Sequence, residues 1–147
     1  YWVRLDGAGD VHVQGRLIGG CIETLGNLAG TPFAQTAELA HSSGDSLIVY
    51  VEAANADAYE VCRTLHGMRL AGFFKRASAV LVGRTNAPDC ADMNQYDAVI
   101  DALGGLGVPI IADVECGHVA PYMPLVNGAM AEVIATETES RIRQVLA

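Results

Sequence analysis

Hydrophobic positions along the chain follow two rhythms. "SLIVYV" (46–51), "AVLVG" (79–83) and "PIIADV" (109–114) are short unbroken apolar runs, as in strands buried on both faces. Between them the apolar residues spread to helical spacing: Ala58, Val61, Cys62, Leu65 and Met68, then Tyr96, Val99, Ile100 and Leu103. Asn55 or Asp57 is the predicted cap of the first helix and Gly72 its stop; Asp92 or Asn94 caps the second, which ends in glycines before Pro109. Strand–helix–strand–helix–strand requires parallel strands with right-handed crossovers. On the flanks, "VHVQGRLIGG" reads as a strand and "CIETLGNLAG" as a short helix closed by Gly30 and Pro32. The C-terminal "GAMAEVIATETESRIRQVLA" reads as a hairpin, although its Glu, Arg and Gln content would also suit a helix. No repeat or linker interrupts the 147 residues, so one domain is expected.

This order has a chemical consequence. Glu52, Arg84 and the segment from Glu115 to His118 each follow the C-terminal end of a predicted strand. Parallel neighbours would bring them to one rim, where open α/β sheets place their ligands. Alone, Glu52 is a solvated strand-end carboxylate and His118 a packing histidine; together they match the acid and base of a catalytic triad. The nucleophile is missing. No G-x-S-x-G elbow occurs, and Ser42, Ser43, Ser46, Ser78 and Ser140 lie in loops or at element edges. Cys116, two residues before His118, offers a thiol-enzyme alternative, but a small buried hydrophobe is its simpler role. A zinc site built on Cys116 and His118 lacks a second ligand pair of usable spacing, so neither metal nor cofactor is expected. His12, His41 and His66 stand singly and receive no role. "GRLIGGC" (15–21) lacks the spacing of a phosphate loop; its glycines suit tight backbone approach, and amides at the start of the following helix could meet a ligand oxygen. Arg84 could bind a substrate carboxylate or sit in a surface salt bridge.

Composition narrows the partners. The chain is 51% hydrophobic with a mean hydropathy of +0.27, which excludes disorder. A net charge of −8 and a pI near 4.8 argue against nucleic-acid polymers and anionic membranes. Four scattered cysteines without a C-x-x-C pair suit reduced thiols, and no apolar stretch is long enough to span a bilayer. The start, "YWVRLDGAGD", has neither an initiator Met nor a signal-peptide pattern, as expected of a piece of a longer protein.

Several motifs, in order from Trp2 to Val133, carry a resemblance: "GRLIGGCIETLGNLAGTP", "LIVYVEAANADAYEVCR", "VLVGR" and "VPIIADVECGHVAPYMPLVNGAMAEV". Together they resemble the C-terminal domain of the LD-carboxypeptidase and microcin C immunity serine peptidases. The resemblance implies a swivelling three-layer β/β/α domain with a parallel βαβαβ core, usually within a homodimer. It implies that Glu52 and His118 are the acid and base of a Ser-Glu-His triad whose serine and oxyanion amides belong to an N-terminal domain. It implies a small peptide or aminoacyl-nucleotide substrate, cleaved in the cytoplasm, with Gly19, Gly20, Cys21 and Arg84 near it. Tyr59 and Arg63 match the family's residues on the following helix, where packing is expected. Two positions depart from the common pattern: Cys21 replaces the asparagine of "GGN", and Ala53 replaces an acid after Glu52. These departures motivate the alternative of a non-catalytic ligand-binding domain that keeps the fold.

Overall fold

The computed structural model describes residues 1–146. One sheet of seven strands runs in the order β1-β5-β4-β3-β2-β6-β7. Its centre is parallel: β2 (Val11–Cys21), β3 (Leu47–Glu52), β4 (Ala77–Gly83) and β5 (Ile110–Val114). The margins are antiparallel, with β1 (Val3–Arg4) on β5 and the hairpin β6 (Met130–Ala135)–β7 (Ser140–Val145) on β2. The C-terminal segment is thus a hairpin, turning at Thr136 to Glu139, and only Ala147 lies outside the described residues.

Alternation along the central strands sorts side chains into two cores. Leu47, Val49, Val51, Val80 and Ile110 face the helices, while Ile48, Tyr50, Leu81 and Ile111 face the other way, towards Ala131 and Val133 of β6. The sheet therefore serves two layers of packing, which gives the β/β/α arrangement expected of the resemblance. Each fully buried aliphatic side chain contributes roughly 1.5–3 kcal/mol, so these central strands anchor the domain.

On the helical face lie α1 (Ile22–Leu28), α2 (Thr36–Ser43), α3 (Ala58–Leu70) and α4 (Gln95–Leu103). Asp57 caps α3 in a capping box with Glu60, and Asn94 caps α4 in a box with Asp97. Asn55 and Asp92 do not cap; Asp92 instead accepts a hydrogen bond from the Tyr59 hydroxyl. The buried stripe of α4 also differs from the predicted one. Ala98, Val99, Ala102 and Leu103 are buried, whereas Tyr96 and Ile100 are exposed, because the small alanines let α4 approach α3 closely. Arg63 is exposed and Tyr59 is 39% exposed, so neither packs in the core. Helix α2 was not anticipated. It buries only Thr36 and Ala40, too little for a hydrophobic stripe to show.

Candidate active site

The expected rim exists, and β5 reaches it through an irregularity. Two steps along β4, from Leu81 to Gly83, are matched by three along β5, from Ile111 to Val114. The extra residue is Asp113, at φ 60, a left-handed conformation that a short polar side chain tolerates. Ala112 and Asp113 consequently both face the helical side, where the Tyr96 hydroxyl donates to Asp113 Oδ2 at 2.6 Å. Val114 and Cys116 then take the opposite face, within the second core.

Just beyond, the chain crosses Glu52. The Gly117 backbone, at φ 95, lies so near that a Cβ there would stand 2.5 Å from Glu52 Oε2. A Cβ on Gly83 would come within 2.7 Å of the Glu52 Cβ and 2.6 Å of the Cys116 carbonyl. Two glycines thus let three segments close around one carboxylate. Glu52 is only 5% exposed. His118 Nδ1 donates to its carboxylate oxygens, at 3.0 and 3.1 Å, from an imidazole that is 62% exposed. This hydrogen bond, and then the charge of Glu52, raise the His118 pKa above its ordinary 6.5 against a small opposing effect of burial. Nε2 has no partner among the described residues. The pair therefore holds one tautomer, with its second nitrogen available to a reacting group.

The loop bearing His118 is tied to the sheet. The Arg84 guanidinium donates to the Pro121 carbonyl, and its Nε is buried without a partner among the described residues. The Asn127 side-chain amide pairs with the Gly19 backbone in both directions, at 2.8 and 3.1 Å. The Gly19 amide is thus engaged by Asn127, and Arg84 spends Nη2 on the Pro121 carbonyl. Gly20 and Cys21 pair in register with Val51 and Glu52, which sets Cys21 beside the carboxylate.

One residue of this rim was not anticipated. Oε1 of Glu23 accepts backbone N–H groups from Ala54, Asn55 and Ala56 at 3.0, 2.9 and 3.0 Å, and the Cys21 thiol donates to its Oε2. Burial pushes the Glu23 carboxyl up, but the hydrogen bonds from Asn55, Cys21 and Ala56 outweigh it and bring the pKa down to about 2. Glu23 thereby fastens the loop that follows Glu52. Burial and Glu23 together push the Cys21 thiol up to about 11. Cys116 is 3% exposed, and burial first, then Glu52, push its thiol to about 12, so it is no nucleophile. Glu115 accepts from the Trp2 indole at 2.6 Å and lies apart from the pair.

A cavity of about 430 Å³ opens on the helical side of the same rim. Glu52 and Gly83 belong to its wall, Val51, Val82 and Val99 line it, and Thr85 and Gln95 stand at its polar part. Ser46 and Ser78 lie at the other end of the strands, hydrogen-bonded to the Gln14 and Leu47 carbonyls. Among the described residues the rim thus combines a buried acid, an exposed base and a cavity, with no serine beside them.

Known proteins place this chain in a class. Residues 14–133 match the model of the LD-carboxypeptidase C-terminal domain, and the chain belongs to that family of serine peptidases. The Microcin C7 self-immunity protein MccF of Escherichia coli is 26% identical over 122 residues, covering 82% of this chain and 34% of its own length. The structure of MccF in complex with glutamyl sulfamoyl guanosine superposes with a TM-score of 0.76 at 20% identity, over 99% of this chain and 41% of that one. The muramoyltetrapeptide carboxypeptidase from Oxalobacter formigenes gives 0.73 at 22% identity, over 97% and 48%. The fold is that of these proteins, and this chain spans less than half the length of each. No helix among the described residues is long and apolar enough to cross a membrane.

Proposed function

We propose that this chain is the acid–base half of a Ser-Glu-His amide hydrolase, with the nucleophilic serine supplied by an N-terminal domain of the kind its relatives' greater length leaves room for. The observation that carries this reading is the hydrogen bond of 3.0 Å between His118 Nδ1 and the buried Glu52 carboxylate. In the reaction His118 Nε2 takes the proton of the serine hydroxyl as it attacks the scissile carbonyl. It then gives that proton to the leaving amine. Glu52 remains ionised, fixes the tautomer and stabilises the imidazolium. The substrate is a small peptide or an aminoacyl-nucleotide, by analogy with the peptidase and the sulfamoyl-nucleotide complex above. The cavity beside Glu52 and the Cys21 edge supply its surroundings, and homodimer formation in the cytoplasm completes the proposal.

The test is hydrolysis of an L,D-tetrapeptide and of an aminoacyl sulfamoyl adenosine by the protein carrying both domains. Release of D-alanine or of free amino acid is expected, and His118→Ala should remove it. Turnover that survives this substitution would falsify the assignment. Binding without turnover by a protein that lacks the serine would favour the ligand-binding alternative.

A further inference from the structure

Helices α3 and α4 pack over Val61, Leu65, Ala98 and Leu103, and at the solvent edge of their seam three metal-binding side chains converge. Cys62 and His66 stand one turn apart on α3, a spacing that aligns them on one face. Asp101 reaches across from α4. Its Oδ2 accepts from His66 Nε2 at 2.8 Å and from Cys62 Sγ at 3.3 Å, and the three ligand atoms lie within 4.8 Å of one another.

We propose that Cys62, His66 and Asp101 form a binding site for a zinc-class divalent ion that clamps α3 to α4. The donor chemistry selects the ion. A thiolate, an imidazole and one carboxylate suit zinc or a similar transition metal, whereas magnesium and calcium take oxygen ligands. The geometry also suits it. Donor atoms around tetrahedral zinc are separated by roughly 3.3–3.6 Å, given bonds of about 2.0 Å to nitrogen or oxygen and 2.3 Å to sulfur. The sulfur–oxygen contact already has that length, and the nitrogen–oxygen contact needs to open by about half an ångström. On binding, the thiol releases its proton to solvent. The proton on His66 Nε2 also leaves to solvent while Nδ1 takes one up, which frees the Nε2 lone pair. Metal–ligand bonds then replace the two hydrogen bonds that now join the three side chains. A fourth position stays open for water or another ligand. Both helices start in side-chain capping boxes and pack on a buried seam, so the scaffold stands ready without the ion. The site belongs to neither the Glu52–His118 pair nor its cavity, and it does not depend on the proposed hydrolase activity.

The reduced, chelator-treated chain is titrated with Co²⁺, with a circular dichroism spectrum to verify that each variant is folded. One equivalent is expected to produce a thiolate-to-cobalt charge-transfer band that Zn²⁺ then displaces. The band should vanish in Cys62→Ser, fall in Asp101→Asn and persist in Cys21→Ser. Zn²⁺ should also raise the thermal midpoint of the unmodified chain and leave that of Cys62→Ser in place. Absence of the band from the folded unmodified chain would overturn the proposal. So would its survival in Cys62→Ser with loss in Cys21→Ser, which would put the ion at Cys21, Glu52 and His118, whose ligand atoms also lie within 4.8 Å.

Discussion

The domain holds two carboxylate–imidazole pairs that look alike in distance and exposure. His12 meets Glu132 at 2.9 Å on the flank of the sheet, and His118 meets Glu52 at 3.0 Å on the rim; each imidazole is 62% exposed. The carboxylates differ. Glu132 is 24% exposed and is shared with Gln14, whereas Glu52 is 5% exposed and enclosed by Gly83 and Gly117. The ring nitrogens differ too. His12 spends Nε2 on its partner, while His118 spends Nδ1 and leaves Nε2 without a partner among the described residues. Ion-pair distance therefore does not separate the two; the enclosure of the acid and the nitrogen left over do, and the proposed function rests on that difference.

The strongest way to break this comparison is to delete each imidazole in turn in the two-domain protein. His118→Ala should cost about 10⁴- to 10⁶-fold in kcat, the scale of triad losses, and His12→Ala should leave turnover unchanged. Equal effects in a hydrolysis assay would dissolve the distinction.

Enclosure can be attacked directly through Gly117. Gly117→Ala forces a Cβ onto Glu52 in a left-handed backbone, so it should destabilise the domain by about 1–3 kcal/mol and displace the carboxylate. Urea unfolding measures the first effect. The second would appear as loss of activity under conditions where the variant remains folded.

Glu23 tests how far the surroundings matter. Glu23→Gln exchanges the charged acceptor of three amides for a neutral one, which should cost about 1 kcal/mol at neutral pH. The sign follows from the lowered pKa. The stability that ionised Glu23 contributes is complete above its ordinary 4.5 and is lost as pH falls towards about 2. The variant should therefore lose less stability than the unmodified chain between those pH values, as read by thermal unfolding across an acid series.

The smallest effect is a titration. His118 should titrate above 6.5 in the ring-proton NMR spectrum, and Glu52→Gln should bring it down. Because the folded pKa is raised, the stability from this pair is complete below 6.5 and fades as pH rises through the folded value. An unmoved His118 resonance would show that Glu52 does not govern the ring.

Much of this arrangement was legible in the amino-acid order. The apolar runs of β3, β4 and β5, with caps Asp57 and Asn94 between them, were enough to place Glu52 and the His118 segment on one rim. Features that depend on loop geometry were not legible. The clasp of Glu23 on Ala54 to Ala56 joins residues more than thirty positions apart, through amides that converge only once the loop has folded. Cys62 read as part of an apolar stripe and His66 as a single histidine, because the residue that joins them, Asp101, lies on another helix. The cysteine beside His118 in sequence is buried in the second core, while Cys21, distant in sequence, stands beside Glu52 through strand register.

The bulge at Asp113 can be read as a shift of frame. Up to Ala112 the side chains of β5 alternate in step with β4; Asp113 adds one residue to the count, and Val114 resumes the step opposite Gly83. If β5 instead ran without the bulge, with Asp113 opposite Gly83, Val114 and Cys116 would turn towards the helices and the chain that bears His118 would leave on the wrong side of Glu52. The address of the imidazole is thus set by the place where the strand absorbs its extra residue, and β5 should tolerate exchange of side chains far better than a shift of that place.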